Sequence, residues 1–177
     1  MGPLAERMIR AAKLDASLYE EVEADREALK QATIVVVLAS MAAGVGASAR
    51  GGLGGLLFAS ISALAGWYVW AFLTYWIGTR LLPEPQTKAD YGELLRTIGF
   101  SSAPGVFRVL GIIPGLTGLV FVVVSIWMLV AMVIAVRQAL DYTGTLRAVA
   151  VCVIGWIVQV LILGLLLTPF RSASTGM

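Results

Sequence analysis

Apolar positions in this chain fall in long blocks separated by short polar stretches, with no sustained alternation of the kind a strand would show. Ala32 to Ala49 is uncharged over about eighteen residues, near the short end of what crosses a ~30 Å hydrocarbon core. Leu53 to Leu82 is longer than a crossing requires, and Leu116 to Val136 and Leu146 to Thr168 are two further spans. A fifth block, Leu94 to Ile113, is interrupted at Phe100-Ser101-Ser102-Ala103-Pro104-Gly105. Its pieces are too short to span singly, but together they make about twenty residues, enough for one broken crossing or a re-entrant segment. The pattern predicts an all-α, polytopic helical membrane protein with five membrane segments, at about 32–49, 53–82, 94–113, 116–136 and 146–168.

Residues 1–30 read differently. Leu4, Met8, Ala11, Leu18, Val22 and Leu29 recur at roughly helical spacing among many charges, which predicts amphipathic helices at the N-terminus. One should precede Asp15 and lie on the lipid surface, burying Met8, Ile9 and Leu14. A second should start near Leu18 behind a Ser17–Glu20 capping box and run on into the bilayer. Glu20, Glu21, Glu23 and Asp25 are unlike the basic start of a signal peptide, so this stretch is expected to be retained. Two prolines mark Leu82 to Thr87 as a loop, and Thr87 with Asp90 reads as a cap for a short polar helix from Lys88 to about Gly99. Pro114-Gly115 and the stretch Arg137 to Thr145 are turns, and residues 171–177 should form a loose tail beyond the 31–170 membrane domain.

Composition narrows the function. The chain is 59% hydrophobic and 14% charged, with a mean hydropathy of +0.87, so lipid has to serve as part of its solvent. The net charge of +2 comes from scattered residues, with no basic cluster that would track a phosphate backbone, and nucleic acid is not an expected partner. There is no histidine and one cysteine, Cys152, which leaves no metal site, no cofactor anchor and no imidazole base. The glycines Gly51 to Gly55 are not followed by Lys-Ser/Thr and read as a tight turn, not a phosphate loop. No nucleophile has a base at a workable spacing, so the chain is expected not to be an enzyme.

Charge also orients the helices. With five crossings Arg7, Arg10, Lys13, Arg26, Lys30, Arg80, Lys88, Arg96, Arg137 and Arg147 share one side, and Arg50 and Arg171 lie opposite. The positive-inside rule then puts the N-terminus in the cytoplasm.

The layout resembles the Yip-domain family, small polytopic proteins named for interacting with Ypt/Rab GTPases, and in particular its uncharacterised bacterial branch. The residues carrying the likeness are Tyr19-Glu20-Glu21-Val22-Glu23-Ala24-Asp25 with Gln31-Ala32, Gly66-Trp67 and Gly78-Thr79-Arg80. Arg96-Thr97-Ile98-Gly99-Phe100-Ser101-Ser102-Ala103-Pro104 and Ala139-Leu140-Asp141-Tyr142 complete it. The resemblance implies a five-helix membrane fold, in a bacterial cytoplasmic membrane, that acts through other membrane proteins. The long N-terminal region and Asp-Leu-Tyr-Gly-Pro motif of eukaryotic members are lacking, so Rab binding is not carried over.

Several residues merit weighing. Arg108 within a membrane segment costs about 2.5–3.5 kcal/mol on insertion scales, and it is expected to reach the headgroups, the alternative being a polar cavity. Gln159 shares a face with Ala148, Cys152 and Gly155, a small-residue stripe suited to helix packing. Arg137, Asp141, Tyr142 and Arg147 fall in one turn, where Asp141 and Arg147 could pair, or could join Glu21, Asp25 and Arg80 in a docking face. The expected role is a non-enzymatic scaffold or assembly protein binding lipid and other membrane proteins as a homo- or hetero-oligomer. The alternatives are an accessory subunit of a larger complex and a small transporter or lipid-handling protein.

Overall fold

The computed structural model of the protein describes the backbone of residues 2–47 and 52–174, and side chains as far as Ile162. Of the tight turn expected at Gly51 to Gly55, Gly51 lies outside the described residues and Gly52 to Gly55 instead open the fourth helix, which corrects that expectation. Helices α1 (Pro3–Ala12) and α2 (Ala16–Ala24) come first, followed by α3 (Ala28–Gly46) and α4 (Gly52–Trp76), which ends in a π-helical turn over Ile77–Leu81. Then come α5 (Tyr91–Ser101), a 3-10 helix (Ala103–Ile112), α6 (Thr117–Ala139) and α7 (Thr145–Ser174), with no strand among the described residues. Four described segments are long and apolar enough to cross a membrane: Ala28–Gly46, Gly52–Leu81, Thr117–Ala139 and Thr145–Ile162. α7 continues past Pro169 to Ser174, and residues 175–177 lie outside the described set.

The broken segment runs beside α3. A Cβ built on Gly99 would come within 2.7 Å of the Ala32 Cβ, one on Gly105 within 2.9 Å of the Ala39 Cβ, and one on Gly111 within 2.9 Å of the Gly46 carbonyl oxygen. Gly99, Gly105 and Gly111 therefore track α3 from near its start to its end. Eleven residues of α-helix at 1.5 Å and ten of 3-10 helix at 2.0 Å extend about 16 and 20 Å, together comparable to the ~30 Å core. Pro104 occupies the first turn of the 3-10 helix, where its missing N–H costs least. Residues three apart eclipse in such a helix, so Gly105, Arg108 and Gly111 share one face.

The N-terminal helices depart from expectation in three ways. Asp15 caps α2, its side chain accepting from Ser17 N at 3.0 Å and from the Ser17 hydroxyl at 2.7 Å. Ser17 is thereby used as a donor, and Glu20 accepts from Gln138 Nε2 at 2.7 Å instead of closing a box. Second, α2 stops at Ala24 and does not run into the bilayer, because Asp25 is extended and its carboxylate accepts from Glu27 N at 3.0 Å, turning the chain into α3. Third, α1 packs on protein: Ala11 is fully buried and Met8 lies against the core, although Ile9 stays exposed. Thr87 likewise does not cap α5; its hydroxyl accepts from Glu84 N, and Asp90 and Glu93 form the capping box ahead of Tyr91.

Donors from the membrane bundle close the C-termini of both N-terminal helices. Trp127 Nε1 donates to the Ala12 carbonyl at 2.8 Å. Arg96, only 6% exposed, donates through Nε to the Val22 carbonyl at 2.9 Å and through Nη2 to the Glu23 carbonyl. These are orphan carbonyls at a partly negative helix end, where a cation is favoured. Trp67 Nε1, donating to the Leu95 carbonyl at 3.1 Å, ties α4 to α5.

Gly46 tests the packing of α3. A Cβ there would overlap the Arg108 carbonyl, whereas one on Gly55 would meet nothing within 4 Å. Gly46→Val should lower stability in detergent by about 3 kcal/mol, the upper end of overpacking costs, while Gly55→Ala should leave thermal unfolding unchanged. A Gly46→Val protein melting at the wild-type temperature would refute the close contact.

Candidate functional site

Two polar features stand out, one at an end of the bundle and one within it. The first is a cleft of about 840 Å³ lined by Glu20, Glu23, Ala24, Gln86, Glu93, Arg137, Gln138, Asp141 and Tyr142. α2 contributes Glu20 and Glu23, α5 contributes Glu93, and the turn after α6 contributes Asp141, whose φ of 52° is left-handed. That turn is clamped to the loop after α4. The Tyr142 hydroxyl lies 2.8 Å from the Leu82 carbonyl and 3.1 Å from that of Gly78, shared between the ends of the π-helical turn. Glu84 accepts from Thr143 N at 3.0 Å and from its hydroxyl at 2.9 Å, and Gln86 Nε2 donates to the Asp141 carbonyl at 2.9 Å.

The expected Asp141–Arg147 pair does not form. Arg147 Nε lies 3.3 Å from Glu84 Oε1, and its Nη1 donates to the Pro83 carbonyl at 2.9 Å, because the loop folds over the turn. Arg137 is spent locally on the Tyr142 and Thr143 carbonyls, both at 3.3 Å. Glu21 and Asp25 are not in the cleft either. Arg7 Nε is 2.9 Å from Glu21 Oε1, Arg7 Nη2 is 2.9 Å from Asp25 Oδ2, and Arg10 also meets Glu21, so these carboxylates fasten α1 to α2. Hydrogen bonds from Arg10 hold the Glu21 carboxyl below its ordinary range, and those from Arg7 do the same for Asp25. Arg80 is exposed and lies outside the cleft. The structure thus joins Arg137, Asp141 and Tyr142 in one place and leaves Glu21, Asp25, Arg80 and Arg147 beyond it.

Burial pushes the Glu23 carboxyl up to about 7, and Glu93, Asp141 and Glu20 push the same way while Arg96 opposes them.

The second feature is a cavity of about 260 Å³ within the membrane domain, lined among others by Ser40, Trp70, Ser102, Arg108, Met132 and Gln159. Arg108 does not reach outward. Its Nη2 donates to the Ser125 hydroxyl at 2.9 Å, and its Cζ sits 5.5 Å from the centre of the Phe121 ring. A charged hydrogen bond of about 1.5–3 kcal/mol and a cation–π contact of about 0.5–2 kcal/mol match the insertion cost. The guanidinium is therefore tolerated while its charge stays unbalanced. Gln159 faces this cavity, and on its stripe Ala148 is fully buried, Cys152 is buried and Gly155 lies against the Trp70 ring.

A family model for the Yip1 domain matches residues 16–167, from the start of α2 into α7. The chain belongs to the Yip1-domain family. No curated protein and no solved structure matches it. This Yip1-domain protein is accordingly an integral membrane protein, as the resemblance implied, and both polar features lie within the matched span, with α1 ahead of it.

Sequence reading missed Arg96 and Glu23. Both stand in the motifs that carried the family likeness, but only the fold shows that Arg96 holds the end of α2 and thereby places Glu23. Two outcomes follow for the Yip1 domain. A carboxyl whose folded pKa is raised binds more protons folded than unfolded, so its contribution to stability falls as pH rises from about 4.5 to about 7. Glu23→Gln should flatten that slope, making the variant more stable than wild type at pH 8 in thermal melts; an unchanged slope would contradict the assignment. Tyr142→Phe should cost about 1 kcal/mol and increase protease cleavage near Pro83, read by limited proteolysis; wild-type resistance would show that the clamp does not depend on this hydroxyl.

Proposed function

We propose that this Yip1-domain protein is a non-enzymatic membrane scaffold that binds other membrane proteins side to side. The observation that carries the reading is the first half of α4. Within Gly52–Trp76 the buried residues are Trp67, Ala71 and Thr74, all in the later half. Earlier, Leu53, Leu57, Phe58 and Ile61 are 65–81% exposed. Among them Gly54 and Gly55 have open space where a Cβ would be. Small residues let a second helix approach closely in lipid, where apolar burial gives no driving force of its own, so packing decides association.

The cleft adds a polar surface at one end of the bundle. Its carboxylates stand without a nucleophile and base in hydrogen-bond reach among the described residues, which favours binding over catalysis. Arg7 and Arg10 on α1, Arg26 just after α2, Lys88 in the loop after α4, and Arg137 and Arg147 on either side of the clamped turn belong to that same end, and by the positive-inside rule it faces the cytoplasm. The resemblance of the motifs to the family's bacterial branch supports placing the protein in a bacterial cytoplasmic membrane. An accessory subunit of a larger complex would use the same helix face, with fixed stoichiometry as its mark.

Photo-crosslinking in intact membranes tests the proposal. A photoreactive residue at Phe58 or Ser62 on α4 should give protein adducts, and one at Val122 or Ile126 on α6 should give lipid adducts only. Lipid-only adducts from α4 would overturn it.

A further inference from the structure

We infer that the cavity at Arg108 binds the carboxylate of a single-chain fatty acid, with the alkyl chain in the apolar groove that adjoins it. The reasoning begins with charge. The sequence has no Asp or Glu between Glu93 and Asp141, none between Glu27 and Glu84, and none after Asp141. Every membrane segment therefore lacks an acid, and Arg108 has no counter-ion to meet. Its fixed neighbours, Ser125 and Phe121, are neutral.

The unused polar atoms are of one kind. Arg108 Nε and Trp70 Nε1 are both buried without a hydrogen-bond partner among the described residues, and both belong to residues lining this cavity. Each is a donor only, and the Gln159 carboxamide on the same wall can add more. Donors left without acceptors in residues around an unbalanced cation call for an acceptor that is itself negative. A carboxylate accepts only, and the planar guanidinium suits its two oxygens.

The rest of the ligand follows from the neighbouring groove. A groove of about 490 Å³ runs between α6 and α7, lined by Leu129, Val133, Val149, Val153 and Trp156, and it shares Trp70 and Met132 with the polar cavity. Polar cavity and apolar groove thus adjoin at Trp70 and Met132, a charged compartment beside a hydrocarbon one. The shared level is deep in the bundle: Ala39 and Met128, near the middles of α3 and α6, both line the cavity. A small carboxylate head fits about 260 Å³ at that depth, whereas a glycerophospholipid would have to sink a bulky headgroup and two chains to reach it. The proposal is independent of the scaffold reading, since it uses α6, α7, the 3-10 helix and Trp70 in the later half of α4, and not the exposed first half of α4.

The test is a titration of dibromostearate into the full-length protein in phosphatidylcholine nanodiscs, read by tryptophan quenching. Wild type should quench saturably, Arg108→Gln should bind at least tenfold more weakly, and the uncharged methyl ester should give no saturable component. Val153→Phe, which narrows the groove and leaves Arg108 untouched, should also weaken binding, so the proposal stays testable if Arg108→Gln fails to fold. Equal binding of the ester, wild-type affinity in either folded variant, or stronger saturable quenching by brominated phosphatidylglycerol would overturn it.

Discussion

The fold depends on how closely the broken third segment lies against α3. In lipid, apolar side chains gain nothing by leaving one hydrocarbon environment for another, so helices associate where their backbones can come near. Gly99, Gly105 and Gly111 supply that nearness along the whole of α3, against Ala32, Ala39 and Gly46. Large residues on α3 or on this segment would hold the two apart. The break at Pro104 becomes tolerable because Ala103, Pro104 and Gly105 are buried against neighbouring helices, and the backbone beyond them is satisfied within the 3-10 helix.

That contact also fixes the polar chemistry. The 3-10 geometry sets Arg108 on the face shared by Gly105 and Gly111, so the side chain is turned into the bundle and toward Ser125 on α6. At the other end of the same segment, Arg96 secures the last turn of α2. One broken segment thereby carries a cation into the membrane interior and fastens the N-terminal helices to the bundle. The cleft lies where that fastening meets the clamped loops, and its Glu23 carboxyl is raised first by burial there and then by the neighbouring carboxylates.

Hydropathy made the long helices legible, since each is a run that only lipid can accommodate. Their ends were less so. Asp25 turns the chain before the membrane, a stop that helical periodicity through Val22 and Leu29 conceals. Glu21 and Asp25 looked available for docking because a sequence does not show that Arg7 and Arg10 will fold back onto them. The partner of Arg147 proved to be Glu84, far away in sequence, while the nearer Asp141 adopts a left-handed turn. For Arg108, the sequence reading placed the polar cavity second to the headgroups, because the three-residue period of a 3-10 helix, and not the 3.6-residue period, sets its direction. The membership signalled by Arg96 to Pro104 was legible because those residues make the segment on which the fold rests.

The passage of that segment through the membrane is open to a direct topological measurement. In a Cys152→Ser background, Lys88→Cys and Pro114→Cys place single thiols just before and just after it, and a membrane-impermeant maleimide applied to sealed, oriented vesicles reports the side of each. The account predicts labelling from opposite faces. Labelling of both thiols from the same face would show a segment that enters and returns, and would contradict it.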